Sequence, residues 1–386
     1  MSPLLRLLAS FIALMMAMGI GRFALTPQLP HLISEGQVDL TAAGLIAAAN
    51  YLGYFIGALD AMFARQPGQM RARLLSGLWL CVLLTLASFW ARGFWPHLAL
   101  RFGTGLASAW VLVMITALSQ PLALAAGRPR LGALVFAGPG LGIMLTGLLA
   151  LGANRLGQSS ANLWLLYGAV ALLMLLVILP ILPRTSSSQR LTPQPTAENE
   201  QSVGRLGLVY GLYGVGYIIP ATFLSQMASA RFHGQWQADL FWPGFGLAAA
   251  LGVALVSLRR QRPDNTRHWL MATLWLQAAG VFACLLGSGL GLVLGVLLCG
   301  TPFLACMQLV MQRSRELAPQ SAQRNAGLLT ACFAMGQLSG PLLAALSSHF
   351  SGNLQPALVV AGCGLLLGAS LLWQPRSATQ RCPLAS

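Results

Sequence analysis

The sequence predicts an all-α membrane protein: twelve transmembrane helices in two six-helix pseudo-repeats, with both termini in the cytoplasm. Three observations carry this. The 386 residues are 56% apolar and only 8% charged, against about 25% charged in a soluble domain, and mean hydropathy is +0.70. So few charged side chains cannot clothe a water-facing surface. Apolar runs of spanning length recur along the whole chain, and the arginines between them fall on alternate loops.

A hydrocarbon core about 30 Å thick takes roughly 20 apolar residues of helix. Runs that meet this ruler lie near residues 5–33, 40–64, 74–92, 96–124, 131–153, 162–183, 206–229, 240–258, 269–287, 289–311, 325–347 and 355–374. They are read as helices because a lone strand in lipid cannot satisfy its own backbone. The first run is not read as a cleavable leader. It continues into Gly21-Arg22-Phe23 and then Pro27 and Pro30, with no small-x-small cleavage site.

Formal net charge is +15, and every cation is Arg; there is no Lys. One set of loops holds eighteen arginines, while the other holds only Arg92, Arg155 and Arg231. Short loops rich in Arg stay in the cytoplasm, so the chain is expected to be multi-pass in the cell inner (plasma) membrane. Topology thereby explains the basic charge, and no nucleic acid is expected as a partner. The longest polar stretch, Arg184 to Arg205, is rich in Ser, Gln and Pro and reads as a cytoplasmic linker. It divides the chain into a bundle over 1–183, a linker over 184–205, and a bundle with a short tail over 206–386.

Seven scattered Cys without a CxxC pair, and five His near span ends, suggest neither a metal site nor a cofactor. Trp95, Trp164, Trp236 and Trp269 fall near span ends and are expected in the interfacial belt. An intramembrane enzyme would need paired acids, a Ser/His dyad or metal ligands inside the bilayer, and no such set is present, so an enzyme is not expected. A nucleotide-binding P-loop needs Gly-Lys-Ser/Thr, which a chain without Lys lacks.

The halves echo each other. Gly19-Ile20-Gly21-Arg22-Phe23 in span 1 parallels Gly214-Val215-Gly216-Tyr217-Ile218 in span 7, with prolines following each. Arg130 precedes Gly142 by twelve residues in span 5, as Arg324 precedes Gly336 in span 11. Parallel six-span repeats are a transporter signature, with the solute between them near the midplane.

With its 6+6 spans and central linker, the whole chain resembles the major facilitator superfamily. GIGRFALTPQLP (19–30), YGLYGVGYIIPATFLSQMA (210–228) and GQLSGP (336–341) are similar to its YbfB/YjiJ-type branch of bacterial transporters. The resemblance implies gating at Gly57, Asp60, Arg65, Arg71 and Arg73, although the loop motif's tight spacing is absent. It also implies a role in coupling or substrate response for Arg101, followed by Gly105 and Ala109. The antiporter Gly-Pro motif of span 5 is approximated by Gly138-Pro139-Gly140-Leu141-Gly142, and Gly336, Gly340 and Pro341 are its span 11 counterparts.

Arg22 and Arg101 lie inside spans, each at about 10 Å from the midplane on the outer side. A charge there costs roughly 2.5–3.5 kcal/mol on insertion scales. None of the eight acids, Glu35, Asp39, Asp60, Glu198, Glu200, Asp239, Asp264 and Glu316, is mid-span. The resemblance implies that spans 1, 4, 7 and 10 line a cavity, which would let both arginines face one space. With no buried acid to pair them, a carboxylate-bearing solute is the expected partner, and snorkelling to the headgroups is the structural alternative. Carbonyls freed by Pro27 and Pro30, those of Phe23 and Thr26, are further candidate acceptors. Asn50 and Tyr54 in span 2, Tyr213 and Tyr217 in span 7, and Gln337 in span 11 occur at helical spacing and are candidates to line the path.

The function expected is secondary active transport of a small organic anion by alternating access, with protons as the candidate coupling ion, by a monomer in a lipid bilayer. Two alternatives stay open: a proton-antiport exporter of drugs or amphipathic metabolites, and a membrane sensor or partner subunit.

Overall fold

The computed structural model describes residues 2–64, 66–182, 197–232, 235–259 and 263–373. Within them the chain forms helices and no strands, close to where hydropathy puts them. Span 1 is built from α1 (Pro3–Leu14), a π-helical segment (Met15–Arg22) and α2 (Leu25–Ser34). Then come α3 (Leu40–Met62), α4 (Pro67–Ala87) and α5 (Phe94–Ala125). A short α6 (Pro129–Leu134) runs through one 3-10 turn into α7 (Gly138–Arg155), and α8 (Ser160–Ile178) closes the first half. The second half holds α9 (Ala197–Arg231), α10 (Phe241–Leu258), α11 (Pro263–Cys284), α12 (Gly289–Leu317), α13 (Ala322–Ser351) and α14 (Gln355–Leu371). Among the described residues, ten segments are long and apolar enough to cross a membrane. The helices α11, of 22 residues, and α14, of 17, are not among those ten.

Local sequence fixes the ends. Asp39 caps α3, its carboxylate accepting from the Ala42 N–H at 2.6 Å, and Ser159 and Ser288 cap α8 and α12. At the end of α7, Gly157 takes φ +62°. That lets the Gln158 N–H return to the Ala153 carbonyl at 2.9 Å, a closure that favours glycine. The helix α9 begins at Ala197, so residues 197–205 are helical. No proline interrupts this stretch, and acids near a helix N-terminus favour it.

Span 1 is not one continuous α-helix. The Phe23 N–H donates to the Met18 carbonyl at 3.1 Å, five residues back, and Phe23 and Ala24 form a turn before α2. Gly19 and Gly21 weaken the α register within this segment, and Pro27 and Pro30 follow it. Such π segments and broken spans recur at functional positions. The carbonyls freed by proline are used differently from expectation: Phe23 accepts from the Thr26 N–H at 3.3 Å, and it is the Gly21 carbonyl that meets an arginine.

The two sets of helices meet along α3 against α13 and α7 against α10, with α2 beside α9. Absent side chains set the second seam. A Cβ on Gly140 would lie 2.8 Å from the Gly246 carbonyl, and one on Gly147 would lie 2.5 Å from Pro243 Cδ. Other glycines of the same helices pack within a half. Gly142 meets Gly19, and a Cβ on Gly138 would lie 2.5 Å from the Phe11 carbonyl. Gly336 packs on Gly211 and Val215 of α9, and Gly340 on Ile218. The span 5–span 1 contact and the span 11–span 7 contact thus repeat each other, as the glycine alignment suggested. Pro139 lies in the first turn of α7, where a missing N–H costs nothing. Pro341 lies inside α13 and removes the usual donor to the Gln337 carbonyl.

Leucines such as Leu173 and Leu176 of α8, Leu251 and Leu255 of α10, and Leu367 of α14 are exposed, an apolar outer surface suited to lipid. Trp95, Trp236 and Trp269 are exposed, as an interfacial belt requires, but Trp164 is buried and belongs to the interior. At the end of the molecule opposite the termini, the exposed Glu35 ties α2 to α8. Its carboxylate accepts from the Ser160 N–H at 2.6 Å, from the Ser160 hydroxyl, and from the Gln37 amide at 2.7 Å. Burial pushes the Glu35 pKa up, but these donors outweigh it and hold it below the ordinary glutamate value of 4.5. A depressed carboxylate contributes stability that is present above its unfolded pKa and lost as pH falls through the folded value. Protease nicking at the α2–α3 turn is therefore expected to rise as pH drops below about 4.5, and Glu35→Gln should remove that acid step. An unchanged acid profile in the variant would refute the assignment.

Candidate functional site

Arg22 closes the π segment and is 2% exposed, although it lies in an apolar span. The break in span 1 turns it towards the other half. Its Nη2 donates to Gln337 Oε1 on α13, and Gln337 Nε2 donates in turn to the Tyr217 hydroxyl on α9. The repeat had placed Tyr217 opposite Arg22, and Gln337 joins the two across the seam. The guanidinium carbon lies 3.6 Å from the centroid of Tyr54 and 5.5 Å from that of Tyr51, both on α3. A desolvated cation over an aromatic face gains about 2 kcal/mol or more. Arg22 Nε and Nη1 meet no hydrogen-bond acceptor among the described residues.

No carboxylate among the described residues offsets this charge. Ion pairs within them join Asp60 to Arg73 and Glu316 to Arg313. Asp39 caps α3, and Asp239 accepts from Asn154 at 3.2 Å. The candidate gating residue Asp60 takes Arg73 in two bonds, 2.7 and 3.0 Å, at the end of the molecule where α1 begins. Arg65 lies outside the described residues.

Aromatic rings surround the Arg22–Gln337–Tyr217 chain. Tyr217 stacks on Phe303 of α12 at 4.5 Å and on Phe333 of α13 at 5.4 Å. Phe23 crosses the seam to Phe303 at 5.8 Å and to Trp242 of α10 at 6.4 Å. The Tyr51 hydroxyl bonds the Thr222 hydroxyl on α9 at 3.0 Å. Tyr54, Tyr210 and Tyr213 are buried as well, so Arg22 is enclosed on all sides. The cavity beside Arg22 has a volume of about 10 Å³, room for a single water. On the terminal side a larger cavity of about 190 Å³ separates the ends of α5 and α12.

Arg101 is equally buried, at 0% exposure, but it does not share Arg22's space. It stays within the first half. Its Nη2 donates to the Ser88 hydroxyl at 2.8 Å, its Nη1 to the Gly21 carbonyl at 3.3 Å, and its guanidinium lies 4.4 Å over the Trp164 ring. Neither arginine snorkels. Because Gly21 precedes Arg22, Arg101 steadies the backbone that presents the other cation. Trp164→Leu should uncover a buried charge and lose about 2 kcal/mol of cation–π attraction in addition to the packing loss. In an Arg101→Met background that extra penalty should vanish. Equal melting shifts in both backgrounds would contradict the pairing.

The other expected residues divide. Asn50 bonds the backbone carbonyl of Arg101 at 2.9 Å and the Thr104 hydroxyl at 3.3 Å, so it ties α3 to α5 and borders the Arg22 cavity. Tyr54 and Tyr217 join the central cluster. Tyr213 stacks on Tyr217 at 5.9 Å but sends its hydroxyl to Gln277 on α11 at 3.0 Å, into the second half. Gly138, Pro139, Gly142, Gly336, Gly340 and Pro341 pack helices together. Sequence reasoning missed Tyr51, Thr222, Phe303 and Phe333. A stripe of aromatics in apolar spans is the only signal that Tyr51, Phe303 and Phe333 give, and Thr222 gives none.

A broken first span, a cation at the seam of two matching helix sets, and an exposed apolar jacket define a membrane transporter of the major facilitator type. The family described as uncharacterised MFS-type transporter YbfB matches residues 14–373, and the chain belongs to it. The fold is similar to that in a crystal structure of the human organic anion transporter MFSD10 (TETRAN), with a TM-score of 0.69. Sequence identity is 20%, over 96% of this chain and 99% of that one. A comparison with curated protein sequences finds no match.

Proposed function

We propose that the protein is a secondary transporter that moves a small organic anion by alternating access of one site between two six-helix halves, 1–183 and 206–386, joined by a linker. In this reading twelve spans cross the inner membrane, both termini face the cytoplasm, and the chain acts as a monomer. The observation that carries it is Arg22, buried at the seam with two unmatched N–H positions and no carboxylate partner among the described residues. A passenger carboxylate supplies the acceptor that the protein withholds.

Gln337 gives the mechanism its shape. With the seam closed it occupies Arg22 Nη2. When the halves part, Gln337 leaves with the second half and frees a guanidinium edge that can grip a carboxylate with two parallel bonds. The passenger then replaces Gln337 and favours reclosure around itself. Tyr217, Phe303 and Phe333 offer stacked rings nearby, which suits a planar or apolar body behind the anionic head. MFSD10 is an organic anion transporter, but at 20% identity the likeness is one of fold, and the anion reading rests on Arg22.

Without a P-loop lysine, a gradient must drive uphill movement, with protons as the candidate coupling ion. Untargeted metabolite profiling of a deletion strain, in cells and medium, names the solute. Accumulation of that solute in proteoliposomes then tests the proposal. Accumulation of an organic acid that requires an imposed gradient supports it. Equal flux in protein-free vesicles, or transport restricted to uncharged solutes, overturns it.

A further inference from the structure

The 190 Å³ cavity at the terminal end is not part of the Arg22 site. Thr116, which lines it, follows Arg101 by fifteen residues on α5, about 22 Å along the helix. Its walls come from both halves: Thr116 and Gln120 of α5 face Ser314 and Arg315 of α12, and Ala322 and Ala326 of α13 close one side. Thr116 is 5% exposed and Ser314 2%, yet neither hydroxyl oxygen has a hydrogen-bond partner among the described residues. Arg315 forms no hydrogen bond or ion pair among the described residues. Its neighbour Glu316 is fully engaged elsewhere, taking Thr266 at 2.9 Å, Gln312 at 3.0 Å and Arg313 at 3.1 Å. No carboxylate of the described residues lines the cavity.

Two buried hydroxyls and one guanidinium without a hydrogen-bonded acid, around a cavity of about 190 Å³, make a donor set for an oxyanion. We infer that Thr116, Ser314 and Arg315 form a second oxyanion subsite at the cytoplasmic mouth, where a carboxylate or phosphate group docks between the two halves. In the transport cycle the occupant is the passenger, held on its way to or from Arg22. That identity rests on the proposed function, whereas the subsite stands on its own geometry. Because α5 and α12 belong to different halves, an anion bound to both also favours closure of this mouth.

The test uses the full chain in phosphatidylcholine nanodiscs, with binding of radiolabelled succinate and orthophosphate measured at pH 7 and constant ionic strength. Arg315→Gln should weaken binding of these probes at least tenfold, Arg315→Lys should restore part of it, and the Thr116→Val/Ser314→Ala pair should weaken it with the charge intact. Unchanged binding in Arg315→Gln and in the hydroxyl pair overturns the subsite. Displacement of both probes by added phosphatidylglycerol would assign the site to a lipid headgroup and overturn the passenger's role there. The two proposals fail separately: Arg22→Gln with full transport sinks the proposed function, and the Arg315 results still stand or fall by themselves.

Discussion

Arg22→Gln should reduce accumulation of the identified solute in proteoliposomes by at least about 100-fold. Charge-assisted hydrogen bonds contribute roughly 1.5–3 kcal/mol each, so losing two costs about 3–6 kcal/mol, or two to four decades in affinity. Arg22→Lys keeps the charge but not the planar fork, and should recover only part of the flux. The folded state should tolerate Arg22→Gln, because it removes a buried cation that no acid among the described residues offsets. Wild-type flux in Arg22→Gln, with the protein correctly inserted, would remove this residue from the site.

Gly105→Ala should be strongly damaging. A Cβ there would meet the Asn50 carbonyl and come within 3.0 Å of the Tyr54 backbone N, both in α3. Backbone cannot rotate out of the way as a side chain can. Overpacking of this kind typically costs about 1–3 kcal/mol and occasionally more. It also pushes apart the Asn50 bond to Arg101 and the Tyr54 ring under Arg22. Gly44→Ala in α3 is the control, since a Cβ there would find nothing within 4 Å; it should be neutral or stabilising by up to about 1 kcal/mol. The melting midpoint should therefore fall in Gly105→Ala and stay level or rise in Gly44→Ala. A Gly105→Ala protein that melts and transports like the parent would contradict the tight α3–α5 contact.

Hydropathy located the helices because lipid leaves the backbone few other solutions. Tyr217 and Gln337 were visible for a related reason: a polar side chain in an apolar run must find a partner, and helical spacing narrows the choices. Arg22 and Arg101 were also visible, and their similar depth agrees with Arg101 reaching the Gly21 carbonyl. Their division between two environments was not visible. It depends on the π segment at Met15–Arg22, which rotates Arg22 towards Gln337 while Arg101 stays under Trp164. Hydrophobic periodicity carries no mark of a one-residue change in register. Trp164 misled for a similar reason, since nearness to a span end does not say which face of α8 meets α5. Phe303 and Phe333 look like ordinary apolar residues until the packing brings their rings to Tyr217.

The central claim is that the Arg22 guanidinium reads the charge of a carboxylate, and a binding cycle tests it most directly. Affinity of the identified acid and of its primary amide would be measured on wild type and on Arg22→Gln in nanodiscs. The amide should bind wild type at least about 100-fold more weakly than the acid, and Arg22→Gln should bind both alike. Equal affinity of wild type for acid and amide, or an undiminished preference for the acid in Arg22→Gln, would contradict the claim.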